Sequence, residues 1–300
     1  MRATERPGGA VAFVLGGGGI LGASEVGMLR ALLGAAITPD VVVGTSVGAI
    51  NGAFLAADPT MSAVARLAEL WVRAAESGVF TDSVVARAQR VVRLAGHLHS
   101  SEALEDLLHD EFGGLRIEDL AVRFQCVAAQ IETASAHWFE RGSIVDAVLA
   151  SSAVPGLLPA REIDGAHYVD GGLVHSIPVS RALDLGASTV YVLQVGRIEH
   201  ALRAPRWPWE VGLVAFEIAR RYRFNEEIAR VPDDVEVHIL PSGAERSPGV
   251  SLSYRGARLV TDRIEAAAAA TGAYLSGVAA GSAGAAGSAG SQGSAGSAGS

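Results

Sequence analysis

The sequence contains no lysine and only one cysteine, and both absences limit what the protein can be. Its 24 basic residues are all arginine, and 32 acidic residues outnumber them, which gives a formal net charge of −8. An acidic chain without basic clusters argues against nucleic acid as a partner. Because Cys126 has no second cysteine to pair with, no internal disulfide can form, which suits a reducing compartment.

Long apolar runs are also missing. The run near the N-terminus, Ala10–Leu15, is too short for the hydrophobic segment of a secretory signal. No later run is long enough to cross a bilayer. We therefore expect a soluble, cytoplasmic protein, for which any contact with membranes is peripheral and transient.

Small and apolar residues are abundant: hydrophobic residues make up 49% of the chain, and 36 residues are glycine. The last twenty residues contain only Gly, Ser, Ala and one Gln, and such a segment buries too little apolar surface to offset the entropy lost on ordering. We expect residues 1–9 to be a flexible N-terminus, residues 10–276 to form one domain, and residues 277–300 to be a disordered tail.

Short apolar runs alternate with helix-like segments, which predicts an α/β domain with a mainly parallel sheet. Residues 11–15 and 40–46 are typical of buried strands, and residues 20–36 and 47–57, which follow them, are typical of helices. Further along we predict helices over 60–112, 143–152, 209–230 and 254–275, hairpins over 123–140 and 162–169, and buried strands at 189–195 and 235–240.

The pentapeptide GTSVG at residues 44–48 matches G-x-S-x-G between a predicted strand and a predicted helix. In that context the turn is too tight for side chains at Gly44 and Gly48. It exposes the Ser46 hydroxyl at the carboxyl edge of the sheet, near a helix N-terminus. The pattern predicts that Ser46 is a nucleophile; the alternative is an ordinary Gly-Ser turn.

A serine nucleophile needs a base to remove its proton. Four histidines fall late enough in the chain to follow the order of α/β-hydrolases: His167, His175, His200 and His238. None lies in a stretch typical of a catalytic loop. We interpret each as a structural or surface residue and look for the base elsewhere.

Three more segments, taken with GTSVG, resemble the patatin-like phospholipase family. They are the glycine block GGGILG at 17–22, ASSAVPGLLP at 150–159, and YVDGG at 168–172. The resemblance implies a three-layer α/β fold, with helices on both faces of a mainly parallel central sheet. It also implies a lipid acyl hydrolase that uses a Ser–Asp dyad without histidine.

On this resemblance, Ser46 attacks the acyl carbonyl to form an acyl-enzyme, and Asp170 takes the serine proton and returns it to the leaving alcohol. Water then releases the fatty acid, and no metal or organic cofactor is expected. A solvated aspartate is a poor base at neutral pH, so either burial raises the pKa of Asp170 or proton transfer is concerted with attack. Without the resemblance, Asp170, Gly171 and Gly172 would indicate only a turn.

The glycine block has two interpretations. In the first, Gly17, Gly18 and Gly19 donate backbone N–H groups to the oxyanion of the ester under attack. In the second, Gly17, Gly19 and Gly22 form the G-x-G-x-x-G of a dinucleotide site, but that fingerprint requires an acid at the far end of the second strand, and Asp40 precedes it. An acyltransferase of the same fold and a non-catalytic module are further alternatives.

Two features bear on the substrate, expected to be a lipid or another acyl ester. Leu21 stands where the family often has Arg or Lys. The missing basic side chain bears on recognition of an anionic headgroup, and it does not affect the prediction of ester hydrolysis. The predicted helix over 209–230 carries an apolar stripe that we assign to the core: Val211, Val214, Ala215, Ile218 and Tyr222. Beside it, Trp207, Trp209, Leu213 and Phe216 are candidates for membrane contact, although a core helix with an aromatic entry loop is the simpler interpretation.

Overall fold

A single eight-stranded sheet organises the part of the chain described by the structure, a computed structural model that covers residues 9–76, 99–155, 158–195, 202, 204–205, 208–243 and 256–289. The strands are β1 (Ala10–Leu15), β2 (Val41–Thr45), β3 (Arg123–Gln130), β4 (Ser135–Phe139), β5 (Arg161–Ile163), β6 (Ala166–Asp170), β7 (Ala187–Leu193) and β8 (Glu236–Ile239). The α-helices within these residues are α1 (Ala23–Gly34), α2 (Val47–Ala57), α3 (Met61–Glu76), α4 (His99–Phe112), α5 (Ile144–Ser151), α6 (Val179–Asp184), α7 (Pro208–Ile228) and α8 (Ala257–Ala289).

The strand order is β5-β6-β3-β2-β1-β7-β8. Strands β6 and β2 pair with successive parts of one edge of β3, and β4 pairs with the opposite edge. Strands β3, β2, β1, β7 and β8 are parallel neighbours, whereas β4, β5 and β6 pair antiparallel. The antiparallel end exists because β3–β4 and β5–β6 are hairpins, and short loops can join only antiparallel strands. The predicted mainly parallel sheet is confirmed.

The sheet is covered on both faces, as a three-layer α/β fold requires. Successive strand residues point to opposite faces, so β1 contributes Phe13 and Leu15 to one apolar cluster and Ala12 and Val14 to another. The larger cluster includes side chains of α1 to α5 and α8, and the smaller one those of α6 and α7. The predicted arrangement of helices on both faces is therefore confirmed.

The predicted strands and hairpins are confirmed, and the helices differ from the prediction in one added element and one end. The second hairpin turns at Asp164 and Gly165, whose φ angles of 51° and 79° are those of a tight hairpin turn. Helix α6 was not predicted. The helix predicted over 60–112 corresponds to α3 and α4, and residues 77–98 between them lie outside the described residues. The last helix continues to Ala289 rather than ending at 275. The proposed domain bounds stay a prediction.

The apolar stripe of α7 that the sequence assigned to the core is exposed instead. Its residues share one face of the helix: Val211 (53% exposed), Ala215, Ile218 (55%) and Tyr222 (63%), with Val214 half-buried beside them. The opposite face is inward and carries the buried residues Arg220, Phe224 and Glu227. Helical periodicity locates a stripe but does not say which face meets the sheet, and here the inward polar residues have partners there. Trp207 and the side chains of Trp209, Leu213 and Phe216 lie outside the described residues.

In the described ranges, no helix combines the length and the apolar character that crossing a bilayer requires.

Candidate active site

The register of the sheet brings the ends of β2 and β6 together. Both strands pair with the same edge of β3: β2 ends at Thr45 opposite Val127, and β6 ends at Asp170 opposite Ala128. Because β2 and β6 run in opposite directions, their ends meet at neighbouring positions of β3. Ser46 is the first residue after β2, and it therefore lies beside Asp170, 124 positions further along the chain.

The turn that carries Ser46 has the geometry predicted by its glycines. Ser46 has φ 57° and ψ −125°, a strained conformation for a residue with a side chain. A Cβ at Gly44 would lie 2.7 Å from the Cα of Ala49, and one at Gly48 would lie 2.9 Å from the Gly16 carbonyl oxygen. Only glycine fits at both positions, and the turn projects the serine hydroxyl towards β6.

Ser46 and Asp170 are in direct contact. The Ser46 hydroxyl donates a hydrogen bond to Oδ2 of Asp170 at 2.6 Å, and the Gly172 N–H donates to Oδ1 at 2.7 Å. Asp170 is fully buried, and Ser46 is 5% exposed. Both carboxylate oxygens are thus held, and one of them faces the hydroxyl.

Burial raises the pKa of Asp170 to about 6, against the opposing effects of the hydrogen bonds from Ser46 and Gly172 and of the charge of Arg220. At neutral pH most of the carboxylate is still ionised, and it binds a proton more strongly than a solvated aspartate does. A buried, ionised carboxylate hydrogen-bonded to a serine hydroxyl is chemically able to accept the proton of that hydroxyl.

The glycine loop departs from the expectation at Gly17. The Gly17 N–H donates to the Ser176 carbonyl at 3.0 Å, which leaves it unable to donate to an oxyanion. The preceding Gly16 N–H bonds to Leu193 O at the end of β7, whereas the Ser176 carbonyl belongs to the loop between β6 and α6. For the N–H groups of Gly18 and Gly19, no partner occurs among the described residues. Of the three predicted donors, only Gly17 is bonded within the part of the chain that the structure describes.

The remaining motif glycines allow close packing at Gly22 and Gly171 and supply a backbone donor at Gly172. A Cβ at Gly22 would lie 2.8 Å from the side chains of Trp71 and Val47, beneath the glycine loop. A Cβ at Gly171 would collide with the Val127 backbone, so the turn after Asp170 could not pack against β3. Gly172 contributes its N–H to the carboxylate.

A buried polar network supports the glycine loop from below. The Asn51 side-chain amide donates to the Gly22 carbonyl at 3.0 Å and to Glu25 at 2.7 Å. The indole N–H of Trp71 donates to Asn51 Oδ1 at 2.9 Å. Burial raises the pKa of Glu25 well above its ordinary value. These hydrogen bonds therefore fix the position of the last residue of the glycine loop.

Two residues that sequence reasoning did not assign to the site hold its backbone. Ser151 Oγ accepts the Ser46 N–H at 2.9 Å and donates to Val127 O at 2.6 Å. Arg220 Nη1 donates to the Gly17 carbonyl at 3.2 Å. Ser151 lies in the segment ASSAVPGLLP, so its motif was visible although its contact was not. Arg220 is 203 positions from Gly17 and lies in no motif.

The histidines considered as bases have other partners. Nδ1 of His167 lies 2.7 Å from Glu132, and Nδ1 of His175 lies 2.7 Å from Glu227. Nδ1 of His238 lies 3.1 Å from the Tyr274 hydroxyl. His200 lies outside the described residues. The three described histidines therefore fit the structural interpretation given to them.

The dinucleotide alternative lacks its acid. Asp40 Oδ2 accepts the Val11 N–H at 2.9 Å, at the start of β1 and so at the end of the sheet opposite the glycine loop. A carboxylate there cannot hold a ribose whose phosphates sit on Gly17 to Gly19. Across the described ranges, no group of three or more His, Cys, Asp or Glu side chains is placed to hold a metal ion.

Comparison with known proteins places these features in one family. The family model described as patatin-like phospholipase matches residues 13–183, which include Ser46, Asp170 and the glycine loop. Human patatin-like phospholipase domain-containing protein 6 is 31% identical over 191 residues, 63% of this chain and 14% of that protein. Lysophospholipase nte1 of Emericella nidulans is 31% identical over 192 residues, 64% of this chain and 12% of that protein.

A third relative, neuropathy target esterase sws of Drosophila melanogaster, is 31% identical over 192 residues, 63% of this chain and 13% of that protein. The chain thus spans 12–14% of the length of these curated relatives. Among solved structures, VipD from Legionella pneumophila has a TM-score of 0.45 and 14% identity, over 89% of this chain and 66% of that one.

Proposed function

Since the chain belongs to the patatin-like phospholipase family, we propose that it is a serine lipid acyl hydrolase that cleaves fatty-acyl esters through a Ser46–Asp170 dyad. The observation that carries the proposal is the 2.6 Å hydrogen bond from the Ser46 hydroxyl to the buried Asp170 carboxylate. Relatives named as lysophospholipase and esterase support an ester substrate. A phospholipid or lysophospholipid is the substrate class we favour.

In the first half-reaction, Ser46 Oγ bonds to the acyl carbonyl carbon while its proton passes to Asp170 Oδ2. The carbonyl oxygen becomes the oxyanion of a tetrahedral intermediate. When this intermediate collapses, the bond to the leaving oxygen breaks, and Asp170 returns the proton to that oxygen. The products are the free alcohol and an acyl ester on Ser46.

In the second half-reaction, water takes the place of the serine hydroxyl. It attacks the acyl carbon and gives a proton to Asp170, and this proton returns to Ser46 Oγ when the fatty acid leaves. We assign the oxyanion site to the N–H groups of Gly18 and Gly19, the two predicted donors that have no partner among the described residues. Nucleophile, base and donors all come from the chain, so the proposed mechanism uses no metal or organic cofactor.

The proposal is tested by covalent labelling and turnover together. A fluorophosphonate probe should label the wild-type protein at Ser46 and leave Ser46→Ala unlabelled. Hydrolysis of a p-nitrophenyl ester should fall by roughly a thousandfold or more in Ser46→Ala and in Asp170→Asn, since each removes one member of the dyad. If the folded wild-type protein takes up no probe, the proposal that it is a serine hydrolase is wrong. If Asp170→Asn keeps full turnover, Asp170 is not the base.

An acyltransferase of the same fold shares the acyl-enzyme and differs only in the acceptor. If an alcohol replaces water in the second half-reaction, the product is a new ester instead of a fatty acid. Product analysis with glycerol and lysophospholipid as added acceptors separates the two activities. Predominant release of free fatty acid would support the hydrolase.

We also propose that the exposed face of α7 contacts lipid aggregates. The face carries Val211, Ile218 and Tyr222, each more than half exposed, and the opposite side of the same helix reaches the glycine loop through Arg220. An amphipathic helix with an outward apolar face is suited to the surface of a bilayer. Contact there would bring the substrate within one helix diameter of the site.

This second proposal is tested by Ile218→Ser, with Ile131→Ser as the control because Ile131 is 52% exposed on the loop between β3 and β4. Ile218→Ser should weaken binding to phosphatidylcholine vesicles several-fold and leave hydrolysis of a soluble short-chain ester unchanged. Equal vesicle binding by the wild type and both variants would contradict it.

A further inference from the structure

We propose that Arg220 is a positioning residue for the oxyanion site: its guanidinium holds the Gly17 carbonyl so that the neighbouring Gly18 N–H is directed at the reacting ester oxygen. The inference deepens the proposed function and rests on it, since an oxyanion forms only if Ser46 attacks an acyl group. Arg220 touches no reacting atom and acts through the loop.

The buried guanidinium of Arg220 is held by hydrogen bonds to Glu217 and to the Gly17 carbonyl. The side chain of Arg220 is 6% exposed, and Nε and Nη2 each lie 3.1 Å from a different oxygen of Glu217. Burying a guanidinium without partners is costly, and a two-point pair with a carboxylate fixes the plane of its fork. The remaining nitrogen, Nη1, is thereby aimed at Gly17 O at 3.2 Å.

The hold on Gly17 determines where the next N–H points. A trans peptide is planar, so the Gly17 carbonyl and the Gly18 N–H point in opposite directions. Arg220 holds the carbonyl side, and Gly17 packs against Ser46, where a Cβ would lie 3.3 Å from the serine Cβ. Adjacent glycines give this peptide little rotational restraint of its own. Without Arg220, a rotation of the peptide could turn the donor away from the substrate.

The charge of Arg220 has a second effect on the same peptide. During attack the proton moves from Ser46 to Asp170, so the negative charge of the site moves from the carboxylate to the oxyanion. Residues 16–22 contain no basic side chain. A cation bonded to the Gly17 carbonyl polarises the peptide and strengthens the Gly18 N–H as a donor where charge develops.

The field of Arg220 also reaches Asp170, and its sign can be measured. The guanidinium lowers the pKa of Asp170, in opposition to the larger effect of burial. Helices α5 and α7 and strands β3 and β5 pack against β6 and the turn that follows it. Other charged side chains on these elements that the structure describes pair with one another or lie exposed: Asp146 with Arg161, Glu227 with His175, Arg221 with Glu217, Arg230 with Glu226, and Arg123, Glu162 and Arg223 at the surface.

Three variants separate the charge from the geometry. Arg220→Gln removes the charge, Arg220→Lys keeps the charge but loses the fork, and Arg223→Gln removes one charge from an exposed side chain of the same helix that lies outside its apolar stripe. On a soluble ester, Arg220→Gln should lower kcat roughly tenfold to a hundredfold, less than outright deletion of a donor, with little change in KM. The acidic limb of its pH–rate profile should move to higher pH, because the lost positive charge no longer lowers the pKa of Asp170. Arg220→Lys should restore the limb without restoring kcat, and Arg223→Gln should match the wild type in both.

A readout on the resting protein keeps the test independent of turnover. In Arg220→Gln, the ¹³C shift of the Gly17 carbonyl should change and amide exchange at Gly18 should accelerate, whereas Arg223→Gln should change neither. The inference would be overturned if Arg220→Gln kept the wild-type kcat, the wild-type acidic limb of the pH–rate profile and the wild-type NMR signals. If Arg220→Gln does not fold, full kcat in Arg220→Lys would overturn it instead. If the fluorophosphonate does not label Ser46, the proposed function fails; unchanged NMR signals with normal labelling would refute the role of Arg220 alone.

Discussion

Asp170→Asn is predicted to stabilise the protein at neutral pH while it removes activity. The ordinary pKa of an aspartate is 3.8, and burial raises that of Asp170 to about 6 in the folded state. Between these pH values the folded protein binds more protons than the unfolded chain. Stability therefore falls as pH rises through this window, and the full penalty is present above about pH 6. Asparagine is nearly isosteric and does not ionise, so the variant escapes the penalty.

The magnitude follows from the pKa difference. A rise from 3.8 to about 6 corresponds to about 3 kcal/mol of stability lost on complete ionisation, and about 2 kcal/mol of that loss falls between pH 4 and pH 7 because the unfolded chain is already partly ionised at pH 4. The carboxylate is fully buried, so solvent screening gives no reason to reduce this figure. Other titrating groups, the buried Glu25 among them, are present in both proteins and cancel in the difference. The free energy of unfolding of Asp170→Asn, minus that of the wild type, should thus grow by about 2 kcal/mol over this range.

Urea unfolding followed by circular dichroism at pH 4, 5, 6, 7 and 8 measures this difference. Asp119→Asn, at an exposed side chain, controls for the loss of one negative charge. A difference between Asp170→Asn and the wild type that does not change with pH would refute the reasoning. It would mean that the carboxylate is not desolvated in the folded protein.

Three further predictions use the same structure. The acidic limb of kcat/KM should rise with pH and level off above about 6, because only ionised Asp170 accepts a proton; a profile that is flat down to pH 4 would contradict this. Ser151→Ala leaves the Ser46 N–H and the Val127 carbonyl without their partner, so urea unfolding should show a loss of roughly 1–3 kcal/mol, and an unchanged midpoint would argue against the bridge. Burial raises the pKa of the Cys126 thiol, so Ellman's reagent should react only on unfolding, and immediate reaction of native protein would be the contrary result.

Much of the local structure followed from short segments of sequence. The strand–turn–helix around Ser46 was predictable because Gly44 and Gly48 meet a steric requirement that operates within a few residues. The hairpin at Asp164 and Gly165 was predictable for the same reason, since both residues tolerate positive φ. Because a solvated aspartate is too weak a base, two alternatives could be stated in advance for Asp170: burial raises its pKa, or proton transfer is concerted with attack.

The errors arose where the outcome depends on distant parts of the chain. The outward face of α7 carries apolar residues and the inward face carries Arg220 and Glu227, the reverse of what the periodicity favoured, because those charged groups find partners across the interior. Gly17 was predicted as an oxyanion donor, but its N–H is taken by Ser176, which lies beyond β6 in the chain. Neither partner is visible from the segment that it binds.

The sequence by itself determined which segments become strands, where the tight turns fall and which side chains are chemically able to act, because these depend on steric and apolar patterns over a few residues. Tertiary structure decided which of those side chains meet. Strands β2 and β6 end at neighbouring positions on one edge of β3, and that register, set by packing across the sheet, joins Ser46 to Asp170. The same packing buries Asp170 and brings Arg220 to Gly17, because burial and long-range pairing arise only when distant segments share one interior.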